Sequence, residues 1–180
     1  MPNVTDPAVR GSMGPMDDEA CAFCGIVADP SRARVLYADA HTLAFFPLTP
    51  AAKGHTLVVP RVHSADLWAM DETGVRRLMQ SVLVVGRALR AALEPEGLNV
   101  INSTGGAASQ TVFHTHVHLV PRWPGDAMGA IWPPKGEGPP DDAAVMNELA
   151  RRVIDMTDPQ ALWSQSAMTT IANSAPNSDP

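Results

Sequence analysis

A chain of 180 residues, 45% of them hydrophobic, is long enough for one domain with tails and for a sizeable core. A formal net charge of -6 argues against nucleic acid as the main partner, and no run of about 18 apolar residues offers a membrane span. The stretch MPNVTDPAVRGSMGPMDDEA lacks the basic and apolar regions of a signal peptide, so a cytoplasmic location is expected, with neither nucleic acid nor membrane as partner.

Residues 1–19 are polar and rich in Pro, Gly and Asp, and are expected to form a flexible arm before a domain at 20–157. Both cysteines lie in CAFC (Cys21, Cys24). ARVLYA (33–38) and TLAFF (42–46) read as strands joined by a turn at 39–41, TPAAKGH as a loop, and TLVVP (56–60) as a third strand. Asp71 is placed to cap a helix, with Val75, Leu78, Met79, Val82, Val85, Leu89 and Leu93 near helical spacing. Pro95 and Gly97 stop it. LNVIN (98–102) gives a fourth strand, and STGGAASQ (103–110) is a small-residue loop.

The loop leads into QTVFHTHVHLVPRW, where His114, His116 and His118 alternate. On a strand, alternate residues share one face, about 6.5–7 Å apart. β-branched Thr111, Val112, Thr115, Val117 and Val120 favour a strand, and Pro121 is expected to end it. Three imidazoles are therefore expected along one side of a strand whose other side is core. After Trp123 come a Pro/Gly-rich connection, a short helix at 141–156, and a tail from 158 expected to be disordered. The order implies an α+β fold: a five-stranded antiparallel sheet with one long helix and a C-terminal helix. Its short edge strands need cover, which dimer pairing can supply.

The histidine row has three readings: a solvated imidazole face, an HxH metal pair, or phosphorus chemistry. For the last, a neutral imidazole is a good nucleophile near pH 7, its ordinary pKa being about 6.5. Attack on phosphorus gives a phosphoramidate that water can open. The attacking ring must be aimed, so its opposite N–H needs an acceptor. His116 has a neighbour on each side, and His118 is placed to donate to a phosphate oxygen or leaving group. For the cysteines, a structural disulfide does not suit a cytosolic chain. A CxxC redox pair would suit a helix N-terminus, but no thioredoxin-like pattern follows; zinc needs two more ligands. His55 reads as a structural residue bonded to loop backbone, and His41 as an exposed turn residue.

Taken in order, CAFCGIVAD, LAFFPLTPAAKGHTLVVPRVH, GLNVINSTGGAASQ and TVFHTHVHLVPR resemble the histidine triad (HIT) family of nucleotide hydrolases and transferases over residues 21–123, most of all its Hint-like branch. The resemblance implies the HIT-like fold, a two-fold homodimer and a purine nucleotide or nucleotide conjugate as ligand. It implies cleavage at the α-phosphate of a nucleoside phosphoramidate or dinucleoside polyphosphate through a covalent nucleotidyl-histidine. His116 matches the nucleophile, His118 the phosphate or leaving-group contact, and His114 the first triad position. Ile26, Leu43 and Phe45 match the apolar base pocket, and Asn102 a residue contacting phosphate or sugar. Gln110 and Thr111 match the polar pair before the triad. Some relatives hold structural zinc on residues matching Cys21, Cys24, His63 and His114. Two features depart from the family. Pro47 stands where an acidic residue binds ribose hydroxyls, and the loop to Gln110 is longer than usual, with Ser109 in place of glycine. Three other readings are a dinucleoside polyphosphate phosphorylase, to which PRWPGD is similar, a non-catalytic nucleotide-binding protein, and a metal-dependent oxidase. The intact His116 argues against the second, and the lack of a jelly roll's many strands against the third.

Overall fold

A computed structural model describes residues 21–132, 134, 138 and 142–157; the arm at 1–19, the tail at 158–180 and Asp141 lie outside the described residues. Five strands form one antiparallel sheet: β1 (Arg34–Ala38), β2 (Thr42–Phe46), β3 (Thr56–Pro60), β4 (Gly97–Ile101) and β5 (Val117–Arg122), in the order β1-β2-β3-β5-β4. Helix α1 (Ala22–Ala28) precedes the sheet and α2 (Glu72–Leu93) links β3 to β4. A further helix, α3 (Ala143–Thr157), belongs to a separate compact unit that begins at Trp132. It starts at Asp142, whose carboxylate accepts from the N–H groups of Ala144 and Val145. No described helix is long and apolar enough to cross a membrane.

β2 and β3 are apolar on both faces because both are covered. Ala44, Val58, Val117 and Leu119 meet Leu78, Val82, Val85 and Leu89 of α2. Leu43, Phe45, Leu57 and Val59 meet Cys21 and Phe23 at the start of α1. The α2 stripe recurs at the spacing of one helical face, and each such side chain contributes roughly 1.5–3 kcal/mol on burial. Met79 is 45% exposed, because it sits one residue round the helix from Leu78 and falls off that stripe. The cap expected at Asp71 is present: its carboxylate accepts from Gly74 N–H at 2.6 Å. The helix ends at Glu94, in the left-handed region, with Pro95 behind it.

Three features differ from the sequence reading. Helix α1 had no counterpart there. Its Gly25, Ile26 and Val27 are poor helix formers, and burial of Phe23 overrides them. The histidine strand starts only at Val117, so His114 and His116 precede it. The backbone of that stretch is satisfied elsewhere: Thr115 N–H donates to Ser64 O at 2.6 Å, and Asn102 Nδ2 donates to His116 O at 2.9 Å. Pro121 does not end the strand, which runs on to Arg122. Past Leu119, β5 pairs only with β4, so the N–H that proline lacks has an unpaired side to face.

Arg122 then pins the following loop. Its guanidinium donates to both oxygens of Asp126, at 2.6 and 2.8 Å, to Asn99 Oδ1 and to Gly129 O. That bond holds the Asp126 carboxyl well below the usual carboxylate range.

Gly54 holds the entry to β3 at φ +78°, where a Cβ would lie 2.3 Å from Leu93 Cδ1. The positive φ alone disfavours an L side chain by about 1–2 kcal/mol. Gly54→Ala is therefore expected to lower unfolding free energy by at least about 2 kcal/mol in a denaturant titration. An unchanged midpoint would show that this corner relaxes freely.

Candidate active site and metal centre

The register of β3 against β5 builds one end of the site. Leu57 pairs with His118, so both face the α1 side of the sheet, and His55 lies two residues before Leu57. Ala51 N–H donates to His55 Nδ1 at 3.0 Å, which places the proton of a neutral His55 on Nε2. That Nε2–H points at His118 Nδ1, 2.9 Å away. His118 Nδ1 therefore accepts, and the His118 proton sits on Nε2, free to donate outward. The two rings stack at 5.1 Å. Burial, reinforced by repulsion from His116 and His55, pushes His118 down to about 4. Burial also lowers His55. Both rings are thus neutral near pH 7. His55 was expected to bond loop backbone, and it does. Its second contact, to His118, was missed; the signal was its parity with Leu57 and Val59 on one strand face.

His116 is aimed from below. Its Nδ1 lies 2.7 Å from His114 O. A carbonyl only accepts, so Nδ1 carries the proton and Nε2 the lone pair. The His116 ring is buried, 4.9 Å from the His118 ring and edge-on to Phe23 of α1 at 5.3 Å. A lone pair thus stands beside an outward N–H donor, a pairing suited to attack on phosphorus with the oxygens held nearby.

At the other end, the sulfurs of Cys21 and Cys24 and one nitrogen each of His63 and His114 all lie within 4.8 Å of one another. His114 Nδ1 is 3.5 Å from each sulfur, and His63 Nδ1 is 3.3 Å from Cys24 Sγ. In a tetrahedral site with Zn–S near 2.3 Å and Zn–N near 2.0–2.1 Å, sulfur and nitrogen are about 3.5 Å apart. The tautomer agrees: His114 Nε2 donates to Pro60 O at 2.9 Å, which turns the Nδ1 lone pair toward the sulfurs. The residues therefore fit a closed four-ligand metal site.

The remaining expected residues are spread around the rings. Asn102 holds the His116 carbonyl, as above. Gln110 is buried, its Oε1 accepting from Gly105 N–H and its Nε2 donating to the carbonyls of Ala65 and Val112. Its amide thus ties the loop to the 64–69 segment, while Thr111 is exposed. Ser109 adopts φ 68°, the left-handed conformation that suits the glycine it replaces. Leu43 and Phe45 are buried in the apolar cluster beneath α1, Ile26 is half-buried at its margin, and Pro47 follows β2.

The chain is similar to known proteins. The HIT domain model matches residues 29–125. Protein hit of Bacillus subtilis (strain 168) is 36% identical over 138 residues, 75% of this chain and 95% of that one. Adenylylsulfatase HINT3 of Arabidopsis thaliana is 31% identical over 142 residues, covering 72% of each chain. Among solved structures, a Zn-bound histidine triad family protein from Mycobacterium smegmatis superposes with a TM-score of 0.57 at 31% identity, covering 78% of this chain and 99% of that one.

The buried His118 ring gives a pH signature. Unfolding returns it to its ordinary value of 6.5, so the unfolded chain binds a proton where the folded chain does not. Stability from this source is complete above pH 6.5 and is lost as pH falls toward about 4. Denaturant midpoints across that range should fall more steeply for wild type than for His118→Gln. Parallel profiles would rule out a suppressed His118.

Proposed function

The chain belongs to the HIT family, and on that premise we propose that it cleaves nucleotide conjugates at the α-phosphate through a nucleotide carried covalently on His116 Nε2. The observation that carries this reading is the opposed pair of tautomers: His116 Nδ1–H on the His114 carbonyl and His55 Nε2–H on His118 Nδ1. The His116 lone pair forms the N–P bond. The bond to the leaving group breaks and takes its electron pair, while His118 Nε2–H hydrogen-bonds to the departing atom or a phosphate oxygen. The phosphorylated ring keeps Nδ1–H on the carbonyl and carries positive charge. That charge makes the N–P bond labile to water, and its cleavage returns the neutral imidazole.

Ile26 would border the base, with the Phe45 ring expected there instead buried in the cluster behind it; Asn102 and Thr111 would meet the sugar-phosphate, with Gln110 shaping the loop. The name adenylylsulfatase, borne by the Arabidopsis relative, supports adenylyl conjugates among the substrates. Zinc on Cys21, Cys24, His63 and His114 would supply structure only, tying α1 to the segment that carries the nucleophile; the Zn-bound mycobacterial neighbour supports this. Reduced thiols in such a cluster suit the cytoplasm.

The test is a panel of adenosine and guanosine phosphoramidates, dinucleoside polyphosphates and adenylyl sulfate, in ribose and 2′-deoxyribose forms, with and without added phosphate. At least one class should turn over, with His116→Ala slower by about a thousandfold or more and nucleotide binding retained. Rapid denaturation of wild type should trap a nucleotide on His116. With Pro47 offering no carboxylate to the ribose hydroxyls, ribose and deoxyribose forms should differ by less than about tenfold in kcat/KM. Near-normal turnover by His116→Ala would sink the mechanism.

The same reading includes a homodimer. β4 is an edge strand, and Val100 on it is about half exposed, as are Leu83 and Val84 on α2. An open apolar edge of this kind favours pairing. Light scattering at low micromolar concentration should give about twice the 19.1 kDa chain mass; a persistent monomer would contradict it.

A further inference from the structure

We propose that Cys21 and Cys24 are an oxidation switch: a hydroperoxide converts them to a disulfide, expels the metal, and so slackens the aim of His116. The proposal rests on the zinc reading above and assigns that site a regulatory role.

The two sulfurs are not equivalent. Cys21 is 7% exposed, whereas Cys24 is half-buried and lines a cavity of about 500 Å³ together with His63, Arg32 and Arg61. The Arg61 guanidinium is held, while that of Arg32 is exposed beside α1. Arg61 Nε donates to Asp39 O at 2.8 Å. Arg32 folds over α1 so closely that a Cβ on Gly25 would lie 2.4 Å from its Nη1. A small polar oxidant therefore has a route to one sulfur, along a wall whose two arginines favour negative charge on a departing oxygen. The two sulfurs lie within 4.8 Å of each other, so rotation of the cysteine side chains is enough to bring them to bonding distance.

The chemistry closes with a hydroperoxide as the named oxidant. The Cys24 thiolate attacks one peroxide oxygen, the O–O bond breaks, and a sulfenic acid and hydroxide form. The Cys21 thiolate then attacks the Cys24 sulfur, the S–S bond forms, and the S–O bond breaks with loss of a second hydroxide. Each hydroxide takes a proton from solvent. Two thiolates have lost two electrons and one hydrogen peroxide has become two waters. Two imidazoles alone then hold zinc too weakly to keep it.

The consequence passes through two residues. His114 gives a ligand nitrogen to the cluster and its carbonyl to His116. Phe23, between the two cysteines in sequence, lies edge-on to both rings, at 5.9 Å from His114 and 5.3 Å from His116. Loss of the metal frees α1 from the segment before β5 and removes both supports.

The experiment uses full-length protein purified without chelator and titrated with hydrogen peroxide. Zinc release is followed with a chromogenic chelator, thiols by titration, mass by spectrometry, and the His116 Nδ1–H by nitrogen NMR of its ring. The expected result is about one zinc released per chain, with loss of both thiols, a mass lower by two hydrogens and a shifted His116 signal. Thiol reductant plus zinc should reverse all four. Arg32→Ala should bind zinc normally but release it several-fold more slowly at equal peroxide. Absence of zinc from the purified protein would overturn the metal reading itself. Zinc that stays bound under peroxide, or release that leaves the His116 signal unmoved, would overturn the switch and leave the metal reading standing.

Discussion

A single hydrogen bond organises this molecule: His116 Nδ1–H to the carbonyl of His114, at 2.7 Å. A backbone carbonyl has no proton to give, so the bond fixes tautomer as well as direction. Once it is made, only Nε2 of His116 can act as a nucleophile. The carbonyl must then be held, and the surrounding contacts do that. His114 Nε2 is fastened to Pro60 O, and Thr115 N–H to Ser64 O. Asn102 Nδ2 closes on the carbonyl of His116. These contacts come from the end of β3, the loop after it and the loop after β4, which explains why the stretch leaves the sheet ladder before Val117. Among the described residues, no buried side-chain nitrogen or oxygen lacks a hydrogen-bond partner. Satisfaction of this kind leaves few alternative arrangements of comparable energy.

The second histidine contact obeys the same logic from the opposite side. Ala51 N–H can only donate, so it sets His55 and, through His55, sets His118. One backbone acceptor and one backbone donor thus fix two neighbouring imidazoles in opposite senses, lone pair outward on one and N–H outward on the other. Burial keeps His118 neutral, which preserves that contrast across the physiological range. Removing the rings from water has a cost, and the backbone bonds offset it only because both loops arrive in register.

Much of this was legible in the sequence, for identifiable reasons. The strands from Arg34 to Pro60 announce themselves through β-branched and aromatic runs, and α2 through its apolar spacing and the Asp71 cap. The histidine alternation pointed to one face, and His116 and His118 do lie side by side. The end points were harder to read. Alternation cannot tell a paired strand from an extended loop whose backbone is satisfied by Ser64 and Asn102, residues 51 and 14 positions away. Nor does any local rule show that Pro121 falls where β5 has one neighbour. Gln110 illustrates the same limit: a polar residue beside a site invites a ligand contact, yet its amide is occupied with Gly105, Ala65 and Val112. Helix α1 was invisible because its stability is tertiary.

A metal on Cys21, Cys24, His63 and His114 would bear on the stability of α1. Helix α1 has seven residues, and isolated helices shorter than about 12–15 residues are marginal in water. Cys21 at its N-cap makes no side-chain capping bond. Phe23 is its one buried side chain, worth roughly 1.5–3 kcal/mol, against a backbone ordering cost of about 1–2 kcal/mol per residue. Intrahelical hydrogen bonds recover part of that cost, but apolar contact alone is a thin anchor for a helix whose Phe23 covers the rings of His114 and His116. A metal cross-link from the first turn to His63 and His114 would change the balance, because it would attach α1 to the segment it covers. Its attachment point would be His114, whose carbonyl orients His116, so what steadied the helix would also steady that ring. A histidine site with one face closed by so short a helix would therefore lean on that cross-link.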